Sequence, residues 1–269
     1  LSSLFPAPAA CYPWPMKIAS WNVNSIKARL EHVKKWLEQS QVDVLMLQEL
    51  KGMDFPTLEF QGLGYEAAFV GQKAYNGVAI LSRHPINLIA EALPGDEGDE
   101  QARYLEADIN GMRLIDIYLP NGNPVDTEKY TYKLAWMERL KERMALLREY
   151  DRPVIVGGDY NVMPDARDVY NPKGWENDAL FRLESRQAFR RLINLGYTDA
   201  FRVFNEEAGQ YTFWDYTGGC WPANKGLRID HFLLSPMAAD RLVSCTIDSE
   251  PRGWERASDH TPITIEISE

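Results

Sequence analysis

Residues 154–161 read VIVGGDYN, an apolar run of strand length that ends in two glycines and then in acidic and amide side chains. Gly157 and Gly158 let the backbone turn tightly and approach a ligand, and Asp159 and Asn161 project from one face two residues apart. A carboxylate beside an amide donor suits a water nucleophile and the phosphoryl oxygen that it attacks. Asp-x-Asn also caps turns in many proteins, so this motif alone leaves both interpretations open.

The same pattern of an apolar strand with acidic or amide residues at its end recurs in WNVNSI, LQELK, IYLPNG, RIDHFLLS and SDHTPI. The polar residues of these segments are Asn22, Asn24, Glu49, Tyr118, Asp230, Asp259 and His260. Their spread along the chain predicts one active site assembled from the whole sequence. Hard oxygen ligands with one imidazole favour Mg²⁺, or Mn²⁺, and a phosphoryl substrate over zinc.

Two of these segments have alternative interpretations. Glu49 follows VDVLMLQ, a run so apolar that it predicts a buried strand, and its carboxylate needs either a metal or a structural Lys or Arg as a partner. A carboxylate that accepts from one nitrogen of His260 would raise the pKa of this imidazole and leave the other nitrogen free to donate to a phosphate. The alternative for the SDH segment is a surface turn without function.

Composition narrows the class of protein. The 269 residues are 45% hydrophobic, and the spread of the motifs favours one domain over residues 16–269. Three cysteines without metal-ligand spacing predict neither a disulfide framework nor a zinc site, and we expect a reducing, cytoplasmic location. The absence of an apolar run of roughly 20 residues predicts a soluble protein with no membrane contact. Residues 1–15, with four prolines and no basic stretch, are expected to form an extension outside the fold.

The net charge of −10 argues against simple nucleic-acid binding, which depends on Lys and Arg contacts to phosphate. Acidic residues that bind a divalent cation count towards this total, yet with the metal bound the site attracts phosphate. We expect a basic rim to assist, built from Lys51, Arg103, Lys129, Lys133, Lys173, Lys225 and Arg228.

Ten apolar runs and two amphipathic segments predict the secondary structure. The runs are MKIASW, VDVLMLQ, YEAAFV, GVAILS, RYLEADI, MRLIDIYL, RPVIVGG, IDHFLLS, LVSCTI and TPITIEI. One helix is predicted to follow an N-cap at Ser25, and a second to run from near Thr127 to about Tyr150. Many strands without a regular strand–helix alternation predict an α+β fold of two packed sheets flanked by helices.

Together these segments resemble the exonuclease III family of apurinic/apyrimidinic (AP) endonucleases, within the endonuclease/exonuclease/phosphatase superfamily. The resemblance covers residues 16–268 and is carried by WNVNSI, LQELK, YLPNG, GGDYN, YTFWDY, GLRIDHFLLS and SDHTPI, which occur in family order. It implies a deoxyribonuclease I-like, four-layer α/β-sandwich with two mixed sheets. It also implies a Mg²⁺-dependent phosphodiesterase, although a scaffold without catalysis or a phosphoesterase for inositol phosphate, phospholipid or RNA remains an alternative.

The resemblance also assigns roles to residues. Glu49 would be the main metal ligand with Asn24 and Asp259 near the metal, whereas many relatives carry an acidic residue in place of Asn24. Asp159 would orient or deprotonate the attacking water, and Asn161 would position it or stabilise developing charge. His260, with Asp230, and Tyr118 would contact the scissile phosphate. Asn22, Lys51 and Asn121 would lie near phosphate or the catalytic carboxylate.

Substrate choice would follow from an apolar slot built by Phe213, Leu227 and Ile229, which are also ordinary strand residues that could simply pack in the core. A base is too large for such a slot, whereas a baseless sugar fits and has little stacking to lose. The resemblance thus implies incision 5′ to abasic sites in double-stranded DNA and action on blocked 3′ ends. We expect the enzyme to act as a monomer.

Overall fold

All ten apolar runs of the sequence form strands in the computed structural model, which describes residues 15–268. Two further strands, β5 (Asn87–Ala90) and β9 (Thr198–Asp199), were not predicted, because one lies largely exposed and the other spans two residues. The predicted extension lies outside the described residues apart from Pro15, so its separation from the fold stays a prediction.

The strands of residues 15–268 form two six-stranded sheets. The first sheet has the order β11 (Leu242–Ile247), β12 (Ile263–Ile267), β1 (Met16–Asn22), β2 (Val44–Gln48), β4 (Val78–Ser82) and β3 (Glu66–Val70). The second has the order β5, β6 (Tyr104–Ile109), β7 (Met112–Tyr118), β8 (Val154–Asp159), β10 (Asp230–Leu234) and β9. Both sheets are mixed, because β1 pairs with β2 and β7 with β8 in parallel, while the other pairs are antiparallel.

Helices flank both sheets, and two short ones contribute side chains to the core between the sheets. They are α1 (Ile26–Ser40), α2 (Thr57–Gln61), α3 (Glu128–Leu147), α4 (Pro172–Trp175), α5 (Leu183–Asn194), α6 (Ala200–Phe204) and α7 (Pro236–Ala239). The two predicted helices correspond to α1 and α3, whose N-caps are Ser25 and Thr127 as expected. The second helix ends three residues before the predicted boundary.

The hydrophobic core lies in three layers. Between the sheets, Ile18 and Met46 of the first sheet share a buried cluster with Leu114 and Phe232 of the second. A second layer packs the inner face of α1 on the first sheet, and a third packs α3 and α5 on the second. This arrangement of helices, sheet, sheet and helices confirms the predicted four-layer α/β-sandwich.

Strand pairing brings the predicted site residues to one edge of the sandwich. In the first sheet Asn22 pairs with Gln48, the residue before Glu49. In the second sheet Asp159 pairs with Tyr118 on one side and with Asp230 on the other. Since β1 and β12 are antiparallel, Asp259 and His260, just ahead of β12, reach the same edge.

No helix among residues 15–268 combines the length and the low polarity that crossing a membrane requires.

The second sheet leaves no room for a side chain at Gly158. Its φ is 145°, and a Cβ at this position would lie 2.0 Å from the carbonyl oxygen of Ile117 on β7. We expect Gly158→Ala to lower the free energy of unfolding by about 3 kcal/mol because the neighbouring backbone must move. Gly111→Ala is the control, since its φ is also positive at 78° but nothing lies within 4 Å, so we expect about 1 kcal/mol from backbone strain alone. Urea unfolding measures both, and equal losses would contradict the steric explanation.

Candidate active site

Asp159 lies at the centre of the polar cluster and is almost completely buried. Its Oδ1 accepts from the backbone N–H of Asn161 at 2.8 Å. Its Oδ2 accepts from the side-chain amides of Asn22 at 3.0 Å and Asn161 at 3.3 Å. Three N–H groups therefore fix the plane of this carboxylate, as a group that must orient a water molecule requires.

Asn22 and Glu49 join the first sheet to this carboxylate. The Nδ2 group of Asn22 donates to Asp159 and also to Oε2 of Glu49, in both cases at 3.0 Å. Glu49 has a positive φ of 59°, an uncommon backbone conformation for a residue other than glycine. Burial works to raise the pKa of Glu49, but hydrogen bonds from Lys51 and Asn22 outweigh it and lower this pKa. Glu49 is therefore an anion, fixed at the mouth of β2.

His260 and Asp230 form a buried pair beside Asp159. Nδ1 of His260 lies 2.8 Å from Oδ2 of Asp230, and its Nε2 lies 3.7 Å from Oδ2 of Asp159. Burial alone would lower the pKa of His260, but Asp230 and Asp159 outweigh it and raise the pKa to about 10. The imidazole is therefore protonated at neutral pH, with one N–H bound to Asp230 and the other directed towards the reaction centre.

The pKa values of Asp159 and Tyr118 are also displaced. Burial raises the pKa of Asp159 to about 7, although the charge of His260 opposes the rise. A carboxylate whose pKa lies near the working pH suits a general base. Burial, together with the negative charges of Glu49 and Asp159, raises the pKa of Tyr118 well above 10. Tyr118 therefore keeps its proton and can donate it in a hydrogen bond.

Two of the three predicted metal ligands contact the ammonium group of Lys51, and the third is bound to one of these two. Nζ of Lys51 lies 2.9 Å from Oε1 of Glu49 and donates a hydrogen bond to Oδ1 of Asn24. The Nδ2 group of Asn24 donates to Oδ1 of Asp259 at 3.0 Å. Carboxylate and amide oxygens thus converge on one cationic position, so this set of donors fits a hard divalent cation.

A second group could also hold a cation. Among residues 15–268, Asp159, Asp230 and His260 form a group whose ligand atoms lie within 4.8 Å of one another. In this group Nδ1 of His260 is bound to Asp230 and Nε2 faces Asp159. The oxygen donors of Glu49 and Asn24 fit a hard divalent cation better, because they include no imidazole.

Asn121 and Asn161 lie at the other side of Asp159. The Nδ2 group of Asn121 donates to Oδ1 of Asn161 at 3.1 Å, and Nδ2 of Asn161 donates to the carbonyl of Leu119 at 2.9 Å. The two amides form one connected group, although Asn121 itself is exposed. The structure thus brings the predicted catalytic and metal-ligating residues, with Asn22, Lys51 and Asn121, into one cluster.

The three residues of the predicted apolar slot lie together but differ in exposure. Phe213 pairs with Leu227 and with His260 through isolated β-bridges, and its ring lies 5.0 Å from the imidazole of His260. Leu227 and Ile229 are each only 1% exposed, whereas Phe213 is partly exposed. A substrate could therefore touch Phe213 directly, while the other two residues support it from below.

The predicted basic rim is wrong for two of its seven residues. Arg228 is buried and donates to Asp168 at 2.6 Å and to Asp199 at 2.8 Å, so its charge stabilises the interior. Lys133 is buried under the Asn121 and Asn161 loops. Both side chains are buried by partners that lie far away in the sequence, so the local sequence does not indicate their burial. Lys51, Lys129, Lys173 and Lys225 are exposed, and Arg103 is partly exposed beside Tyr118.

Sequence reasoning missed two residues that hold Asn24. Arg29 donates to the carbonyl of Asn24 at 2.6 Å, and the Nδ2 group of Asn24 donates to the hydroxyl of Tyr216 at 3.3 Å. Arg29 also donates to this hydroxyl at 3.0 Å. Tyr216 is the last residue of the YTFWDY motif, so the family resemblance could have identified it. Nothing in the local sequence distinguishes Arg29 from other helix residues.

Comparison with known proteins gives consistent matches. The model of the Endonuclease/Exonuclease/phosphatase family matches residues 19–260. Exodeoxyribonuclease III of Haemophilus influenzae is 33% identical over 266 residues, which cover 94% of this chain and 100% of that protein.

Solved structures show the same fold. An AP endonuclease from Archaeoglobus fulgidus has a TM-score of 0.91 and 36% identity, covering 94% of this chain and 100% of its own. NExo from Neisseria is 38% identical to this chain, and the match covers 94% of this chain and 100% of NExo. It has been solved as a 3′-5′ exonuclease, with a TM-score of 0.92, and as a 3′ phosphatase bound to a product DNA hairpin, with a TM-score of 0.91.

We expect Asp230→Asn to lower the pKa of His260 below its value of about 10, because the Asp230 charge is the largest influence that raises it. An NMR titration of the imidazole measures this change. Asp259→Asn is the control, since the charge of Asp259 raises this pKa less than those of Asp230 and Asp159, and its removal should lower the pKa less.

The same substitution has a pH-dependent effect on stability. A raised histidine pKa stabilises the fold fully below pH 6.5, the ordinary value, and this contribution is lost as the pH rises through about 10. Asp230→Asn should therefore destabilise most in acid to neutral solution, and its difference from the wild type should narrow towards pH 10. A pH-independent difference would argue against a charged pair.

Proposed function

Because the chain belongs to the endonuclease/exonuclease/phosphatase family, we propose that it is a DNA repair phosphodiesterase that hydrolyses the DNA backbone 5′ to abasic sites. The products would be a 3′-hydroxyl and a 5′-deoxyribose phosphate. Its substrate is double-stranded DNA with abasic sites or blocked 3′ ends. The 36% identity to an AP endonuclease of the same fold supports this assignment.

One observation carries the proposal. The buried carboxylate of Asp159 lies between a cation-binding group, Glu49 with Asn24, and a protonated imidazole, His260. Asn22 connects the first of these groups to Asp159, and Asp230 holds the charge of the imidazole. A phosphodiester needs this combination of a water-orienting base and positive charge around the oxygens that become more negative.

The protein groups then have defined roles in an in-line displacement. Asp159 accepts the proton of the water whose oxygen forms the new bond to phosphorus. His260 donates its Nε2–H to a phosphate oxygen, where negative charge increases in the transition state. The bond from phosphorus to the 3′-oxygen breaks, and the departing oxygen takes up a proton from water to become the 3′-hydroxyl. Tyr118, which keeps its proton, donates a hydrogen bond to the phosphate or to the departing oxygen.

We propose Mg²⁺ as the cofactor, with Mn²⁺ as a possible substitute, held by Glu49 and Asn24 with Asp259 beside them. These side chains supply the oxygen ligands that such cations prefer. When bound, the metal would neutralise phosphate charge and act as a Lewis acid. In the structure Glu49 and Asn24 contact the ammonium group of Lys51.

Selection of abasic sites would depend on the space beside Phe213. A flipped-out sugar without a base would fit against its ring, above Leu227 and Ile229, whereas a nucleotide with its base would not. Asn121 and Lys51, both exposed, would contact the backbone of the DNA. A cytoplasmic location and a monomeric state stay predictions.

We also propose a 3′-5′ exonuclease or 3′-phosphatase activity. The similarity to the Neisseria protein NExo supports it, because one NExo structure is named a 3′-5′ exonuclease and another a 3′ phosphatase. Both reactions attack a phosphate at a 3′ end with the same groups. The proportion of the two activities depends on how the duplex end fits the site.

The test is cleavage of a labelled duplex that carries one tetrahydrofuran abasic analogue, compared with an undamaged duplex, in Mg²⁺ and in EDTA. A single metal-dependent cut 5′ to the analogue is expected, and laddering from the 3′ end would report exonuclease activity. No cut with either Mg²⁺ or Mn²⁺ would refute the repair function and direct the search to inositol phosphates, phospholipids and RNA. Loss of activity in His260→Ala would exclude a scaffold role.

Removal of the Glu49 charge should weaken metal binding. We expect Glu49→Gln to raise the Mg²⁺ concentration for half-maximal cleavage by about tenfold or more, as weakening of ligation typically does. Mn²⁺ binding, followed by electron paramagnetic resonance without DNA, should weaken in parallel. Glu59→Gln is the control, because Glu59 also binds a lysine, Lys34 at 2.8 Å, but lies at the surface. Unchanged Mn²⁺ affinity in Glu49→Gln would place the cation elsewhere.

A further inference from the structure

Lys133 is a buried lysine beneath the active site. It lies in α3 with no exposed surface and forms no ion pair within residues 15–268, although the charges of Asp159 and Asp178 act on it from a longer distance. A buried charge without an ion pair is costly, and such residues are rarely found without a specific partner. The partners of Lys133 are two backbone carbonyl groups.

These carbonyls belong to the two amide residues of the site. Nζ of Lys133 donates to the carbonyl of Asn161 at 2.6 Å and to that of Asn121 at 3.0 Å. The side chains of these two residues are also hydrogen-bonded to each other, at 3.1 Å. One amine therefore fastens two loops, which follow β7 and β8, to the helix behind them.

The loop after β7 is shaped around the lysine. Gly122 has a φ of 89°, and a Cβ there would lie 2.6 Å from Cδ of Lys133. The backbone thus passes so close to the aliphatic part of Lys133 that only glycine fits. This close packing is a second observation, separate from the hydrogen bonds, that the loop is shaped to hold the lysine side chain in one place.

Asn161 transmits this restraint to the reacting groups. Its backbone and side-chain N–H groups both donate to Asp159, at 2.8 and 3.3 Å. A shift of the Asn161 backbone would therefore rotate or release the carboxylate. Burial lowers the pKa of Lys133 to about 7, but a neutral amine still has two N–H groups for the two carbonyls, so both bonds persist when the charge is lost.

We propose that Lys133 is a positioning residue, which fixes the backbones of Asn121 and Asn161 and thereby sets the orientation of the Asp159 carboxylate. It has no exposed surface that a substrate could touch. This inference rests on the proposed function, because it assigns Lys133 an effect on the same hydrolysis.

The test is Lys133→Met, which keeps the length of the side chain and removes the donors. A catalytic group displaced by about 1 Å loses on the order of 10²-fold in rate, so we expect kcat on the tetrahydrofuran duplex to fall by roughly 30- to 100-fold with KM changed by less than about threefold. Tyr197→Phe is the control, because it also removes a buried donor to a backbone carbonyl, that of Met144 on α3 at 3.0 Å. It should lower the melting temperature but leave kcat unchanged.

A double-mutant cycle distinguishes positioning from general destabilisation. If Lys133 acts by orienting the Asp159 carboxylate, Lys133→Met should cost less than about threefold in single-turnover rate when Asp159 is already alanine, because the group that it orients is gone. If Lys133→Met lowers the rate of the Asp159→Ala variant by the same factor as it lowers that of the wild type, the inference is overturned. A kcat of Lys133→Met equal to that of Tyr197→Phe would also overturn it.

Three further outcomes are distinguishable. If Lys133→Met does not fold, Gly122→Ala replaces it, since its Cβ displaces the lysine without altering it, and the same cycle with Asp159→Ala applies. If the wild type cuts the abasic duplex and Lys133→Met cuts it equally well, only the positioning role is refuted. If the wild type does not cut at all, the proposed function fails, and the inference fails with it.

Discussion

The side-chain amide of Asn22 is the contact on which the site depends. Asn22 ends β1 in the first sheet, and its single NH₂ group donates to Glu49 in that sheet and to Asp159 in the second. These two hydrogen bonds tie the cation-binding half of the cluster to the half that would activate water. They form only if the sheets pack with β1 next to β8, so the apolar layer between the sheets determines the geometry of the polar edge.

Backbone conformation at this edge is unusual, and the rest of the fold has to stabilise it. Asn24, Ser25, Glu49, Lys51 and Asn161 all have positive φ values. Each such residue costs of order 1–3 kcal/mol and persists only where its surroundings determine it. Here the ends of the strands before them are buried, and the turns are held by side chains such as Arg29 and Lys133. The core thus sustains backbone strain at the residues that carry the chemistry.

The sequence predicted the secondary-structure elements and the residues of the site better than it predicted the contacts between these residues. Apolar runs identified ten strands, because a buried strand needs a continuous apolar stretch, but the exposed β5 and the two-residue β9 have no such signal. Asp159, Glu49 and His260 could be found because a carboxylate or imidazole at the end of a buried strand needs a partner.

The environment of lysines and arginines could not be predicted in the same way. Lys133 looks like one of many surface lysines on an amphipathic helix, and its burial follows from loops 12 and 28 residues away in the chain. Arg228 is similarly buried by Asp168 and Asp199, which lie 60 and 29 residues away. Long, flexible basic side chains can reach either water or a distant acceptor, so only the packing decides between rim and interior.

Charge balance explains how an acidic protein can bind a phosphodiester. Glu49, Asp159, Asp230 and Asp259 place four carboxyl groups at one edge, and the protonated His260 and Lys51 offset part of their charge. Burial raises the pKa of Asp159 to about 7, so this carboxyl group carries its full charge only when a cation lies nearby or the pH is above neutral. A divalent cation at Glu49 and Asn24 would favour the ionised form of Asp159 and attract the phosphate at the same time. These four carboxyl groups are a part of the acidic composition, and with a metal bound such a site would attract phosphate.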